Sequence, residues 1–181
     1  MRTFIDIPVP ENEHINLLLS NLKKFKEVKA VESKKLHICL RFLGETTEVD
    51  IEKIKEKMNT LHGFGSFSFN LKGYGSFPNQ EFMRVVWIGV EDGEGKQKLC
   101  ELQVLLEKNL GEIGFQPENR EFTPHLTAGR VRQKPSSVLK GLVDRYKTMD
   151  FGAVKVRELR LIQSQLKPSG PKYTVLHSVE L

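Results

Sequence analysis

Two periods alternate along the chain. Residues 2–8 alternate as a strand. Pro10 and Asn12 then open a helix whose apolar residues Ile15, Leu18, Leu19, Leu22 and Phe25 share one face. Glu11 and Glu13 begin it and Lys23, Lys24 and Lys26 end it, the charge order a helix dipole favours. Residues 35–43 return to strict alternation, with Leu36, Ile38, Leu40 and Phe42 on one side and His37, Cys39 and Arg41 on the other. A second helix carries Ile51, Ile54, Met58 and Leu61, and residues 66–72 read as a strand.

The order then repeats. Residues 83–90 are strand-like, Asp92-Gly93 supplies a turn, and a helix carries Leu99, Leu102, Leu106 and Leu110. His125, Leu126, Thr127 and Ala128 lie on the next strand, and Pro135-Ser136-Ser137 starts a helix with Leu139, Leu142 and Tyr146. Residues 151–181 predict two or three strands broken at Lys167-Pro168-Ser169-Gly170. Strand–helix–strand–helix–strand thus occurs twice, and each middle strand holds a His with a small polar or thiol residue two positions on. The two His are 88 positions apart. This reads as an internal duplication within one domain, 1–181, with halves of roughly 1–80 and 81–181. Two similar halves packed face to face would leave a cleft.

Composition narrows the class. Of 181 residues, 39% are hydrophobic, enough for a core, and no apolar run approaches a membrane span. The segment 1–8 contains Asp6 and does not read as a signal peptide, so a soluble cytoplasmic protein is expected. Two cysteines, Cys39 and Cys100, exclude a disulfide scaffold and favour a reducing compartment. The net charge of +5 is uneven: residues 130–181 carry +7 and residues 1–129 carry −2. Arg130, Arg132, Lys134, Arg157, Arg160, Lys167 and Lys172 are therefore candidates for a nucleic-acid backbone path.

Three motifs fail. Gly93-Glu94-Gly95-Lys96 has Val90 where a phosphate loop needs Gly, and Gln97 where it needs Ser or Thr, so a strand–helix turn is expected. Lys72-Gly73-Tyr74-Gly75 starts like an RNA-recognition signature, but Pro78 ends it, and a glycine-rich turn with Phe77 buried is expected. His37, Cys39 and His125 lack zinc-ligand spacing, so no metal and no cofactor are expected, and His14, His62 and His177 read as packed or solvated.

What survives is a pair of strands. His37 and Cys39 share one face, as do His125 and Thr127, while Ile38, Leu40 and Leu126 anchor the opposite faces. Two imidazoles in one cleft suit acid–base work near pH 7, with small donors and an Arg to hold a phosphoryl group. Arg130 follows Gly129, which permits a bulge that re-aims it toward the cleft.

These segments resemble a known family. His37-Ile38-Cys39-Leu40-Arg41-Phe42-Leu43-Gly44-Glu45 resembles the first motif of the 2H phosphoesterases, and Phe122-Thr123-Pro124-His125-Leu126-Thr127-Ala128-Gly129-Arg130 the second. More narrowly, the chain is similar to the RNA 2′,3′-cyclic phosphodiesterases, also called 2′-5′ RNA ligases. Gly73–Pro78 and Ser164–Tyr173 carry the likeness across nearly the whole chain. The resemblance implies an α+β fold of two pseudo-symmetric lobes, each an antiparallel sheet flanked by helices, around a central cleft. It implies metal-independent opening of a terminal 2′,3′-cyclic phosphate to a 2′-phosphate, with reversible 2′-5′ ligation. In that reading His125 is the general base and His37 the general acid. Cys39 and Thr127 hold phosphoryl oxygens, and Arg130 contacts phosphate or a base. Phe42 is either a core residue or a base-stacking partner. The partners implied are RNAs with 2′,3′-cyclic phosphate and 5′-hydroxyl ends, tRNA halves among them, met by a monomer. Cys39 departs from the family's Thr or Ser, and a neutral, weaker donor is expected there. Two alternatives share these residues: an RNA-end-binding module without catalysis, and a phosphodiesterase for small cyclic nucleotides.

Overall fold

The computed structural model describes residues 1–181. Nine strands form: β1 (Arg2–Pro8), β2 (Val28–Ala30), β3 (His37–Glu45), β4 (Phe67–Phe77), β5 (Val85–Val90), β6 (His125–Val131), β7 (Asp150–Val156), β8 (Glu158–Lys167) and β9 (Gly170–Glu180). Four helices accompany them: α1 (Glu13–Leu22), α2 (Glu48–Asn59), α3 (Glu94–Gly111) and α4 (Ser137–Tyr146). The helix starts follow from local chemistry. Asn12 caps α1 by accepting from the Ile15 amide, Thr47 and Asp50 form a reciprocal capping box on α2, and Ser136 caps α4. Gly93 opens α3, so the glycine-rich stretch there is the expected strand–helix turn. The first helix stops at Leu22, one turn short of Phe25, which packs against the core from the loop beyond.

All strand pairs are antiparallel. One lobe runs β3-β1-β8-β9 and the other β6-β5-β4-β7, with β2 on the outer edge of β6. The lobes meet at a single strand pair, Ile38 opposite Leu126. The α+β, two-lobed expectation therefore holds, and a core cluster of 38 buried residues runs through both lobes. The lobes are not the two halves of the chain. β4 crosses into the second lobe, and the β8–β9 hairpin returns to the first.

Two matching bulges shape the central strands. On β3, Asp6 faces Cys39 and Ile5 faces Arg41, so Leu40 is the extra residue. On β6, Trp87 faces Thr127 and Val86 faces Gly129, so Ala128 is extra. A bulge reverses the facing of everything beyond it. Arg41 therefore turns inward, 6% exposed, and pairs with Glu107 of α3 at 3.1 and 3.2 Å and with the Gln116 carbonyl. Phe42 turns outward, 43% exposed. Strict alternation assigns both residues to the wrong face. Breaking the Arg41–Glu107 pair from one side would strand a buried guanidinium, at a cost of about 3–5 kcal/mol.

The Lys72–Phe77 stretch is also corrected. It is no turn: β4 continues through Gly73, whose φ of 82° lies at a further bulge, to Phe77. Phe77 is half-buried and faces His125 rather than the core.

Candidate active site

The Ile38–Leu126 pair brings four side chains onto one face. The flanking positions set His37 beside Thr127 and Cys39 beside His125. The two His are then diagonal neighbours, a spacing of roughly 7–8 Å in a regular ladder. Both rings are held alike. His37 Nδ1 lies 2.7 Å from the Lys35 carbonyl, and His125 Nδ1 lies 2.7 Å from the Thr123 carbonyl. A carbonyl only accepts, so each Nδ1 carries hydrogen and donates. Each Nε2 is left to take or give a proton. Burial is the largest cause that lowers the His125 pKa, and the charges of His37 and Arg130 lower it further. The neutral form of His125 is thereby favoured.

Beneath these groups the two lobes use equivalent positions differently. Opposite Cys39 stands Asp6, 1% exposed, and opposite Asp6 stands Arg160 on β8. Arg160 Nε and Nη2 each donate to Asp6 at 2.9 Å, a two-pronged ion pair. Burial raises the Asp6 pKa most, offset by its Arg160 hydrogen bond and by the His37 charge. Burial, with Asp6 and Glu118 nearby, pushes the Cys39 thiol up to about 12, so it is neutral at physiological pH. Opposite Thr127 stands Trp87, and opposite Trp87 stands Gly75. A Cβ at Gly75 would lie 2.5 Å from the indole, so only glycine leaves the ring its place.

Aromatic rings wall the cleft. Phe4 stacks on His37 at 5.1 Å and lies parallel to Phe42 at 6.4 Å. Tyr173 meets Phe4 and His37 edge-on, at 5.2 and 5.7 Å. Phe77 meets His125 edge-on at 5.1 Å and packs on Trp87 at 5.2 Å. Phe42 lies in this row with Arg2 5.1 Å above it, on the cleft side and not in the core. Arg130 occupies the position in β6 that Phe42 occupies in β3. The bulge beside Gly129 turns it outward, and its charge is felt at both His125 and Tyr173. A Cβ at Gly129 would lie 2.9 Å from Val28, so the glycine also admits β2.

Two concavities lie on the surface of the first lobe, and the first reaches His37 through Lys35 and Tyr173. One, of about 590 Å³, is lined by Lys34, Lys35, Arg160, Lys167, Lys172 and Tyr173 among others; its acidic residue is Glu32. The other, of about 670 Å³, shares Lys34 and Arg160 and adds Lys155 and Arg157, balanced by Glu158 and Glu180. Arg160, Lys167 and Lys172 thus gather with Lys34 and Lys35, which sequence reasoning did not single out. Asp6, Phe4 and Trp87 were also missed. Asp6 carried a signal, an acid between Ile5 and Ile7 on an apolar strand. His62 and His177 pair with the Glu180 carbonyl and with Asn59, away from the cleft.

Comparison with known proteins adds a family. A family model described as AKAP7 2′5′ RNA ligase-like domain matches residues 10–181. A protein of Methanocaldococcus jannaschii named RNA 2′,3′-cyclic phosphodiesterase is 38% identical over 179 residues, 97% of this chain and 98% of its own. One of the same name from Archaeoglobus fulgidus is 39% identical over 183 residues, 99% of this chain and 100% of its own. The crystal structure of TT0787 of Thermus thermophilus superposes with a TM-score of 0.85 at 28% identity, covering 100% of this chain and 98% of that one.

Proposed function

The chain belongs to the AKAP7 2′5′ RNA ligase-like family, and we propose that it is an RNA 2′,3′-cyclic phosphodiesterase working by paired-histidine catalysis. The observation that carries this is the pair of imidazoles, each fixed by an Nδ1–carbonyl bond, diagonal across the one strand pair that joins the lobes.

The reaction follows from their states. Neutral His125 takes a proton from water on Nε2 as the water oxygen bonds to phosphorus. The bond from phosphorus to the 3′ oxygen breaks, and His37 gives its Nε2 proton to that oxygen. The product ends in a 2′-phosphate and a 3′-hydroxyl. With the 5′-hydroxyl of a second RNA end in place of water, the same steps form a 2′-5′ linkage, and their reversal breaks it. Thr127 and the neutral Cys39 thiol donate to the phosphoryl oxygens, and Arg130 offsets their charge. Phe42, parallel to Phe4 and flanked by Arg2, contributes its exposed ring surface to contact with a terminal base. The chain's own side chains supply every proton transfer, so turnover is expected in EDTA.

Residues 1–181 act as one two-lobed unit derived from duplicated halves, roughly 1–80 and 81–181. The substrates are RNAs with 2′,3′-cyclic phosphate and 5′-hydroxyl ends, tRNA halves included, met in the cytoplasm by a monomer. Arg130 and the lysines of the first concavity, Lys34, Lys35, Lys167 and Lys172, supply the path of the RNA backbone to the histidines. The test is incubation with an oligonucleotide bearing a 2′,3′-cyclic phosphate, in EDTA, followed by identification of the end. A 2′-phosphate is expected. Salt-sensitive binding without turnover would replace the enzyme by an end-binding module, and a 3′-phosphate product would refute the step assigned to His37.

A further inference from the structure

The two catalytic strands are near-copies, yet their floors are opposites. The register makes the correspondence explicit: His37 matches His125, Cys39 matches Thr127, Asp6 matches Trp87, and Arg160 matches Gly75. The bulges fall at the same place in both lobes, so the match is one of position and not only of motif. In the first lobe the position carries a buried carboxylate. In the second it carries an indole that lies over Gly75 and Gly89, and Gly89 is the residue opposite His125.

We propose that this difference, a paired carboxylate under the His37 strand and an indole on bare backbone under the His125 strand, assigns the two histidines their opposite roles. Asp6 and Trp87 are positioning residues, acting through the imidazoles and not on the substrate. The acid and base roles themselves rest on the function proposed above; the floor's effect on the rings does not.

The neighbours of each ring set the sign. Around His37 stand Asp6 and the stacked Phe4 from β1, Arg160 from β8, Tyr173 from β9, Cys39 on its own strand, Lys35 just before it, and Thr127 and His125 from β6. Asp6 is the carboxylate of this set, one diagonal step from His37, and its own titration feels the His37 charge. A carboxylate there stabilises the imidazolium that an acid requires. Arg160 holds Asp6 in place and also tempers it. Around His125 stand Arg130 and Thr127 on its own strand, His37 and the neutral Cys39 thiol from β3, Phe77 from β4 and Trp87 from β5. The charges felt at this ring are those of His37 and Arg130, and no carboxylate is among them. The indole packs on Phe77, which meets His125 edge-on, and its Nε1 is buried without a hydrogen-bond partner. Cations and apolar rings both disfavour the imidazolium, which leaves the neutral form that a base requires.

The experiment is the titration of both imidazoles by their ring C–H resonances in the folded chain, assigned with His37→Gln and His125→Gln, together with the pH–rate profile. Asp6→Asn is expected to lower the His37 midpoint, and with it the descending limb. The His125 midpoint should stay in place. Trp87→Gln is expected to raise the His125 midpoint and move the ascending limb to higher pH. Trp87→Gln reads the other ring through a different strand, so one of the two variants informs even where the other does not fold. The midpoints are read without turnover, so they stand or fall apart from the proposed activity. Folded variants whose two midpoints do not move, or move together, would overturn the assignment.

Discussion

Cys39 stands where the other lobe has Thr127, and its chemistry can be worked out before any turnover is measured. With the thiol pushed up to about 12, roughly one molecule in 10⁴ carries a thiolate at pH 8. An ordinary free cysteine is then about one quarter ionised. The more basic thiolate is the better nucleophile and regains part of the difference, which leaves a deficit of about 50-fold. Iodoacetamide at pH 8 should therefore label Cys39 at least about 50-fold more slowly in the native chain than in the urea-unfolded chain, read by mass spectrometry of its peptide. Cys100, half-exposed on α3, serves as the internal comparison. A neutral thiol is a weaker donor than a hydroxyl, so Cys39→Thr should keep or raise turnover. Native labelling as fast as unfolded labelling would refute the buried, neutral thiol. A sharp loss of turnover in Cys39→Thr would show that sulfur has its own part in the reaction.

Three further outcomes are expected. Gly75→Ala places a methyl 2.5 Å from the Trp87 ring, an overpacking worth about 1–3 kcal/mol, so Tm should fall by several degrees. Because Trp87 packs on Phe77 and Phe77 on His125, kcat should fall with it; unchanged Tm and kcat would refute this support. The lowered His125 pKa places the ascending limb of kcat/KM below pH 6.5, the ordinary imidazole value. The unfolded chain then binds that proton more readily, so His125's stabilising effect is complete above pH 6.5 and is lost as pH falls toward its folded value. A limb at or above pH 6.5 would contradict the buried base. Neutralising Lys34, Lys35, Lys167 and Lys172 together should weaken long RNA more than a cyclic mononucleotide, with a shallower salt dependence. Equal losses on both ligands would leave these lysines as ordinary surface charge.

The histidine-bearing faces were readable because a period of two is readable: His37 with Cys39, and His125 with Thr127, share a face whatever the rest of the fold does. The bulge beside Gly129 was also readable, since glycine marks such sites. Its counterpart at Leu40-Arg41 was not. Those residues alternate normally in sequence, and only pairing with Phe4 and Ile5 shows the extra residue, which is why alternation puts Phe42 and Arg41 on the wrong faces. Gly73 and Gly75 looked like a turn because glycine usually breaks a strand. Here the first makes a bulge and the second makes room for an indole from another strand. Strand exchange between the lobes, and the Asp6–Arg160 pair across 154 positions, depend on long-range pairing that no local pattern records.

The central claim is that two histidines work as one acid–base device. Its most direct test is kcat on a 2′,3′-cyclic-phosphate oligonucleotide in EDTA for His37→Ala, His125→Ala and the double variant, each checked for native fold. Each single change should cost on the order of 10²–10⁴-fold, and the double variant little more than the worse single one, because removing either ring already disables the pair. Near-normal turnover in either single variant, or losses that multiply in the double, would contradict it.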